Sequence, residues 1–303
     1  MRRFAVLGPG GVGGFVAAAL SRAGEPVQVV AREPTVERIN AQGLDVRSRV
    51  LGDFRARPVA VAELREPVDV LFLAAKATGL AAALDRIRVG PELVVPLLNG
   101  LDHLALLRGR FGPGPVVASV IRIESDRPEP GRILQTSPGV RIDMASEHPQ
   151  TAARLPAVAE ALIRAGIPTV IGDSEARVMW SKLARLNALS ATTSVSGRDI
   201  GFIRSDPAWR ARLVACVEET AAIATADGAP MSPVDALREL DAAHPGLGSS
   251  MQRDLAAGRT PELDAIQGSV LRAAARHGIE CPAVSRLAVE IAALAGIDPP
   301  ALA

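Results

Sequence analysis

The feature that most narrows the folds open to this chain lies within its first fourteen residues. Phe4–Ala5–Val6–Leu7 reads as a buried strand, and it breaks directly into Gly8–Pro9–Gly10–Gly11–Val12–Gly13–Gly14. Gly8, Gly10 and Gly13 stand at the spacing GxGxxG, and each place has its own demand for glycine. The first makes a tight turn, the second lets the backbone approach a pyrophosphate, and the third lets a helix pack close to the strand. The start of that helix also offers free N–H groups and a positive dipole end to phosphate. The pattern predicts a strand, a turn and a helix from about Val12 to Ala23, stopped by Gly24. Gly8, Gly10, Gly11 and Gly13 are therefore expected to line a dinucleotide. Two arginines ahead of an apolar stretch imitate a secretory leader, but five glycines and Pro9 interrupt it.

The next strand, Pro26–Ala31, ends in Arg32, nineteen positions past Gly13. An arginine at this strand end suits the 2′-phosphate of NADP, whereas an acid suits the ribose hydroxyl of NAD. Arg32 favours NADP; Glu33, directly after it, leaves the ribose reading open, as does a merely solvated loop charge. Val68–Ala74 is a near-continuous apolar run, as in a strand buried on both faces of a parallel sheet. It ends at Ala75–Lys76, and ligands of open α/β sheets sit beyond the carboxyl ends of strands. A further strand, Leu93–Leu98, runs into Asn99–Gly100, which is either turn chemistry alone or a polar group placed for nicotinamide or substrate. Three β-rich pieces follow, Val116–Ile123, Arg132–Gln135 and Val140–Met144, separated by Pro-Gly turns. They read as antiparallel strands joined to the parallel sheet. A helix over Ala152–Ala165 and a strand over Pro168–Ile171 complete this part, and Gly172–Asp173–Ser174 is the expected boundary between domains 1–172 and 173–303.

Composition removes several functions. The formal net charge is +1 and aromatic residues make up 3%, so neither a basic field nor stacking platforms point to nucleic acid. No run of eighteen apolar residues lacks a charge, so no membrane span is expected. The absence of tyrosine excludes a reductase that donates its proton from a tyrosine hydroxyl. Two distant cysteines, Cys216 and Cys281, and four scattered histidines leave no cysteine zinc site and no HExxH pair, and fit a reducing cytoplasm. Of the 34 basic residues only two are lysine, Lys76 and Lys182. Arginine is never deprotonated in practice, whereas a lysine can be tuned to give up a proton, so these two are functional candidates.

Beyond residue 175 strand signals stop. Ser205–Asp206–Pro207, Ser232–Pro233 and Thr260–Pro261 each set a capping residue before a proline suited to a first helical position. Trp180–Ser181–Lys182–Leu183 opens a segment running through Asn187, with Lys182, Leu186 and Leu189 near one helical face. A lysine there is partly desolvated, which suits proton transfer. Ser249–Ser250–Met251 reads as a helix cap or a site, and Glu262 as a dipole-stabilised acid of a first helical turn or a functional carboxylate.

With these residues in view, the chain resembles ketopantoate reductase (2-dehydropantoate 2-reductase) over nearly its whole length. The likeness rests on GPGGVGG from Gly8, on Ala75–Lys76, on Asn99–Gly100, on WSKL from Trp180, and most specifically on SSMQRDLAAGRTPELDAIQG from Ser249 to Gly268, with Asp254 and Glu262 at the family's acidic places. The resemblance implies an α/β fold: an N-terminal Rossmann-type domain followed by an all-helical domain like that of 6-phosphogluconate dehydrogenase relatives. It implies NADPH reducing the 2-keto group of ketopantoate to pantoate, towards pantothenate and coenzyme A. Lys182 would be the general acid, Glu262 would hold the terminal hydroxyl and Ser250 the carboxylate. Asn99 would orient ketone and lysine, Lys76 would contact cofactor or substrate, and Arg32 the 2′-phosphate. Many members carry asparagines four and eight residues after the lysine, where this chain has Leu186 and Ser190, with Asn187 one step off. Asn187 and Ser190 are then the polar residues expected at the substrate, and another branched 2-keto acid becomes an alternative. A 3-hydroxyacid or opine-type dehydrogenase and a non-catalytic NADP sensor are the competing functions, and a homodimer fits the apolar helical part.

Overall fold

The computed structural model describes residues 2–302, and the chain forms two compact units. The first holds the residues up to Leu98 together with His103–Val178; the second holds Asn99–Asp102 and the chain from Met179 onward. Among the described residues, no helix is long and apolar enough to cross a membrane.

The first unit starts as the glycine pattern requires: β1 (Phe4–Leu7), then α1 (Gly11–Arg22), then β2 (Val27–Val30). All four β1 residues are buried, which is why they are uniformly apolar rather than alternating. After α2 (Glu33–Gln42), the strands β3 (Leu44–Ser48) and β4 (Phe54–Ala56) form an antiparallel pair, and β5 (Val59–Val61) returns to β2. Next come β6 (Val70–Leu73), α3 (Leu80–Leu84), β7 (Leu93–Pro96) and α4 (His103–Phe111). The main sheet has the order β5-β2-β1-β6-β7 with every pairing parallel. The chain winds outward from β1 in one direction and resumes on its other side at β6. That reversal makes a switch point at the carboxyl ends of β1 and β6, where the glycine turn and Lys76 both fall.

The remaining strands correct the sequence reading. β8 (Ala118–Arg122) and β11 (Arg141–Ala145) are antiparallel partners, as expected, and β12 (Thr169–Ile171) runs parallel to β11. This group meets β7 through a single parallel bridge, Val94 to Val116, instead of continuing the main ladder. β10 (Arg132–Gln135) is not part of it: it lies between β3, to which it is parallel, and β9 (Ser125–Glu129), to which it is antiparallel. The cause is α1, whose residues from Gly13 to Leu20 are all buried and need a second cover besides the main sheet. Ile133 of β10 packs there so closely that a Cβ on Gly14 would overlap its side chain. Gly11 is likewise pressed on Ser125, whose Oγ donates to the Gly11 carbonyl at 2.8 Å. The unit closes with α5 (Pro149–Ala152) and α6 (Leu155–Arg164).

The second unit is helical: α7 (Glu175–Ser196, begun in the first unit), α8 (Ile200–Ser205), α9 (Pro207–Ala226), α10 (Pro233–Ala242), α11 (Ser250–Ala256), α12 (Ser269–His277) and α13 (Pro282–Ala295). Asp206 and Ser232 cap α9 and α10 through their side chains, with proline at the first position of each. α9 is the central member and packs against α8, α10, α12 and α13. At Thr260–Pro261 the structure departs from expectation. The helix begins only at Leu263 and passes at once through a π turn, Asp264–Gly268, before α12.

The glycine turn makes a testable distinction. A Cβ on Gly13 would overlap the Gly8 carbonyl oxygen and lie 2.9 Å from Ala74 Cβ, whereas nothing lies within 4 Å of a Cβ on Gly10. Gly13→Ala is expected to destabilise the fold by about 1–3 kcal/mol, as overpacking does. Gly10→Ala is expected to change it by no more than about 1 kcal/mol. Urea unfolding of the two variants measures the difference, and equal losses would contradict it.

Candidate active site

Lys182 is positioned by a tryptophan two residues before it. Trp180 is fully buried, and its Nε1 donates to Asp227 Oδ2 at 2.8 Å. Asp227 caps the end of α9, and its Oδ1 lies 2.8 Å from His277 Nε2 and 3.4 Å from Arg276 Nη2. Burial pushes this carboxyl up, but the bonds from His277 and Trp180 and the charge of Arg276 outweigh it and hold it below the ordinary range. Two residues on a helix differ by about 200°. Fixing Trp180 inward therefore turns Lys182 outward, where it is half-buried.

There Lys182 Nζ donates to Asn99 Oδ1 at 2.7 Å, and Asn99 Nδ2 donates to Glu262 Oε2 at 3.0 Å. The amide cannot be turned the other way, because an ammonium only donates and an ionised carboxylate only accepts. Both bonds involve a charged partner, the kind worth roughly 1.5–3 kcal/mol each. The result is an ammonium and a carboxylate joined through one neutral amide, all half-buried.

Asn99 comes to this place by a turn that demands glycine. Gly100 has φ +84°, and a Cβ there would overlap the Ala265 carbonyl oxygen in the π turn. At Asn99–Gly100 the glycine serves the turn and the asparagine bonds Lys182 and Glu262. Glu262 is delivered by a separate device. After α11, Arg259 folds back so that its N–H donates to the Asp254 carbonyl at 2.8 Å and its Nε to Asp254 Oδ1 at 2.7 Å. Pro261 is buried, and Glu262 stands just ahead of Leu263, with its carbonyl accepting from Ile266 N–H at 3.1 Å. It stands at the cap of this helix, where the dipole also favours an acid.

The other expected residues divide. Ser249 is the cap of α11, in a reciprocal capping box with Gln252 and 3.0 Å from Thr193 Oγ1, while Ser250 is exposed at the first helical position. Asn187 and Ser190, expected at the substrate, are both 0% exposed. Asn187 Nδ2 donates to Thr220 Oγ1 at 2.9 Å, and Ser190 Oγ accepts from Gln267 Nε2 at 2.9 Å. The reason is that α7 is enclosed on all sides from Asn187 to Ser194. Leu186, one turn beyond Lys182 on the same face, is half-exposed instead.

In the first unit, Gly8 has φ +90° and its Cα lies against the chain after β6, where a Cβ would be 3.0 Å from Ala75 N. The turns after β1 and β6 thus touch, and Lys76 is exposed beside them. Arg32 is exposed at the end of β2. Its neighbour Glu33 lies 3.5 Å from Arg86, and the backbone N–H at the start of α2 together with that guanidinium holds the Glu33 carboxyl below its ordinary range. Arg86 is anchored by the carbonyls of Ala31 and Ala62 at 3.2 and 2.9 Å.

A parallel sheet with a glycine turn at its switch point, followed by a helical unit that displays a lysine, defines the class: an oxidoreductase built on a Rossmann-type fold. Comparison with known proteins narrows this. Family models described as ketopantoate reductase PanE/ApbA and its C-terminal part match residues 4–146 and 176–295. The 2-dehydropantoate 2-reductase of Caulobacter vibrioides is 30% identical over 93% of this chain and 96% of its own. The crystal structure of 2-dehydropantoate 2-reductase from Geobacter metallireducens superposes with a TM-score of 0.87 at 26% identity, covering 95% of this chain and 98% of that one. D-mandelate dehydrogenase, solved with NADH and anilino(oxo)acetate, shares the fold at a TM-score of 0.86 and 18% identity, over 97% and 98% of the two chains. The chain belongs to the ketopantoate reductase family, whose members are oxidoreductases acting on a CH–OH group.

The Asp227 bonds give a pH signature. A carboxyl held below its unfolded value, about 3.9, adds stability above that pH and loses it as pH falls through the folded value. Asp227→Asn is expected to unfold at lower temperature than the parent chain at pH 7, with the gap closing as pH falls below about 4. Calorimetry across that range measures it, and a gap independent of pH would contradict the assignment.

Proposed function

We propose that the chain reduces the keto group of a 2-keto acid with NADPH, and that ketopantoate, giving pantoate, is its substrate. The observation that carries this reading is the bonded series Lys182–Asn99–Glu262. A reduced nicotinamide supplies a hydride to the keto carbon when bound. Lys182 Nζ gives the proton that the resulting alkoxide oxygen needs, so carbonyl, hydride and proton balance as a secondary alcohol. Asn99 limits the directions in which Nζ can point and so orients it for the substrate oxygen. The Glu262 carboxylate suits a hydroxyl donor on the substrate, and the exposed Ser250 hydroxyl suits its carboxylate.

The residues of the first unit fit the dinucleotide. Gly10 faces open space, so its lack of a side chain answers no neighbour in the protein and leaves room for a pyrophosphate. Gly8 and Gly13 are required by the turn itself, and Gly11 by Ser125, so their identity speaks for packing. Arg32 is available for a 2′-phosphate while Glu33 is drawn towards Arg86, which supports NADPH over NADH. Lys76, exposed beyond β6, is a further cation for cofactor or substrate.

A second substrate is favoured by one feature. Leu186 puts an apolar side chain one turn from Lys182, and both nearby polar candidates are interior. That wall suits a branched 2-keto acid with no polar group at this position.

NADPH oxidation with ketopantoate tests the reading. Lys182→Ala is expected to lower kcat by about 10²–10⁴-fold, the typical weight of a placed proton donor. Arg32→Ala is expected to weaken NADPH binding and leave NADH binding unchanged, and Gly10→Ala to weaken both without loss of stability; calorimetric titration reads each. Turnover undiminished in Lys182→Ala would contradict the proposal. Tight NADPH binding with no keto acid consumed would favour a sensor.

A further inference from the structure

The three side chains of the site come from stretches far apart in sequence, and one arginine grips two of those stretches. Arg272 of α12 donates from Nε and Nη2 to Asp102 Oδ2 at 3.0 and 2.7 Å. From its other side, Nη1 donates to Asp264 Oδ1 at 2.8 Å, and Nη2 to the Asp264 carbonyl at 3.0 Å. Nη1 also reaches the Ala301 carbonyl at 2.9 Å. Asp102 lies three residues after Asn99, and Asp264 two residues after Glu262.

Two further observations make this more than a surface ion pair. A Cβ on Gly268 would lie 2.8 Å from Asp264 Oδ1 and 3.1 Å from Arg272 Nη1, so a side chain there would push on this pairing. The turn that carries Asn99 is seated directly on the same π turn, because Gly100 abuts the Ala265 carbonyl. Exposed ion pairs are worth little, but the Arg272 side chain is only 21% exposed. Its planar fork, always charged, fixes direction as well as distance.

We propose that Arg272 is a positioning residue for the reduction. Acting through Asp102 and Asp264, it sets the Asn99 turn against Glu262 and so holds Asn99 Oδ1 where Lys182 meets it. Its effect on turnover rests on the function proposed above; its effect on the turn does not.

Asp102→Asn and Arg272→Lys, each as the whole chain with NADPH, test it. Arg272→Lys keeps the charge and loses the fork. Both are expected to lower kcat by about 10- to 100-fold, the scale of a small misplacement of a catalytic group, with the KM for NADPH unchanged. In an Asn99→Ala background the same substitutions are expected to cost nothing more, since no amide is left to position. Amide hydrogen exchange over residues 99–102 is expected to rise in both variants, with or without substrate. Unchanged kcat, or an equal loss in the Asn99→Ala background, would overturn the catalytic role. If the parent chain reduces no 2-keto acid, the proposed function fails while the brace is judged by exchange alone, and unchanged exchange over 99–102 overturns it.

Discussion

One amide, that of Asn99, is the point on which the chemistry of this protein depends. It accepts from Lys182 and donates to Glu262. No other uncharged side chain of that length does both at once, since it must offer a carbonyl oxygen on one side and an N–H on the other. An aspartate there would repel Glu262, and a leucine would leave two charged groups half-buried and unbridged. Much of the second unit can be understood as the means of bringing three distant segments to this amide. Trp180 and Asp227 set the rotation of α7, Asp254 and Arg259 shape the approach to Glu262, and the π turn seats Gly100.

The first unit follows a different constraint, close packing around α1. The helix is buried on both sides, so glycines appear wherever its backbone nears a neighbour: Gly11 at Ser125, Gly13 at Gly8 and Ala74, Gly14 at Ile133. Gly10 alone among the GxGxxG positions has no such reason. The glycine-rich turn thus serves packing at three places and leaves one place open. The same demand for a second cover explains the separate sheet of β4, β3, β10 and β9.

What the sequence made legible was local. The strand–glycine–helix opening, the proline-bearing caps of α9 and α10, and the two lysines in an arginine-rich chain each depend on a few adjacent residues or on simple counting. What it hid was tertiary. β10 looked like a member of the last strands until its partner, β3, proved to lie about ninety residues earlier. Asn187 and Ser190 are expected at the substrate from the family's asparagine spacing, and that spacing carries no sign that both are buried beside Thr220 and Gln267. The Thr260–Pro261 signal places the helix start too early, since a π turn leaves no mark in apolar spacing. Arg272 stood among 32 arginines with nothing local to distinguish it; Asp264, eight residues earlier, was the nearest available hint.

The central claim is that Lys182 and Glu262 are coupled through Asn99. With only two lysines in the chain, selective labelling of lysine side-chain nitrogen yields just two resonances, from Lys182 and Lys76. Glu262→Gln is expected to shift the Lys182 resonance and leave Lys76 in place, and the shift is expected to vanish when Asn99 is replaced by alanine. A Lys182 resonance indifferent to Glu262, or one that responds equally without Asn99, would contradict it.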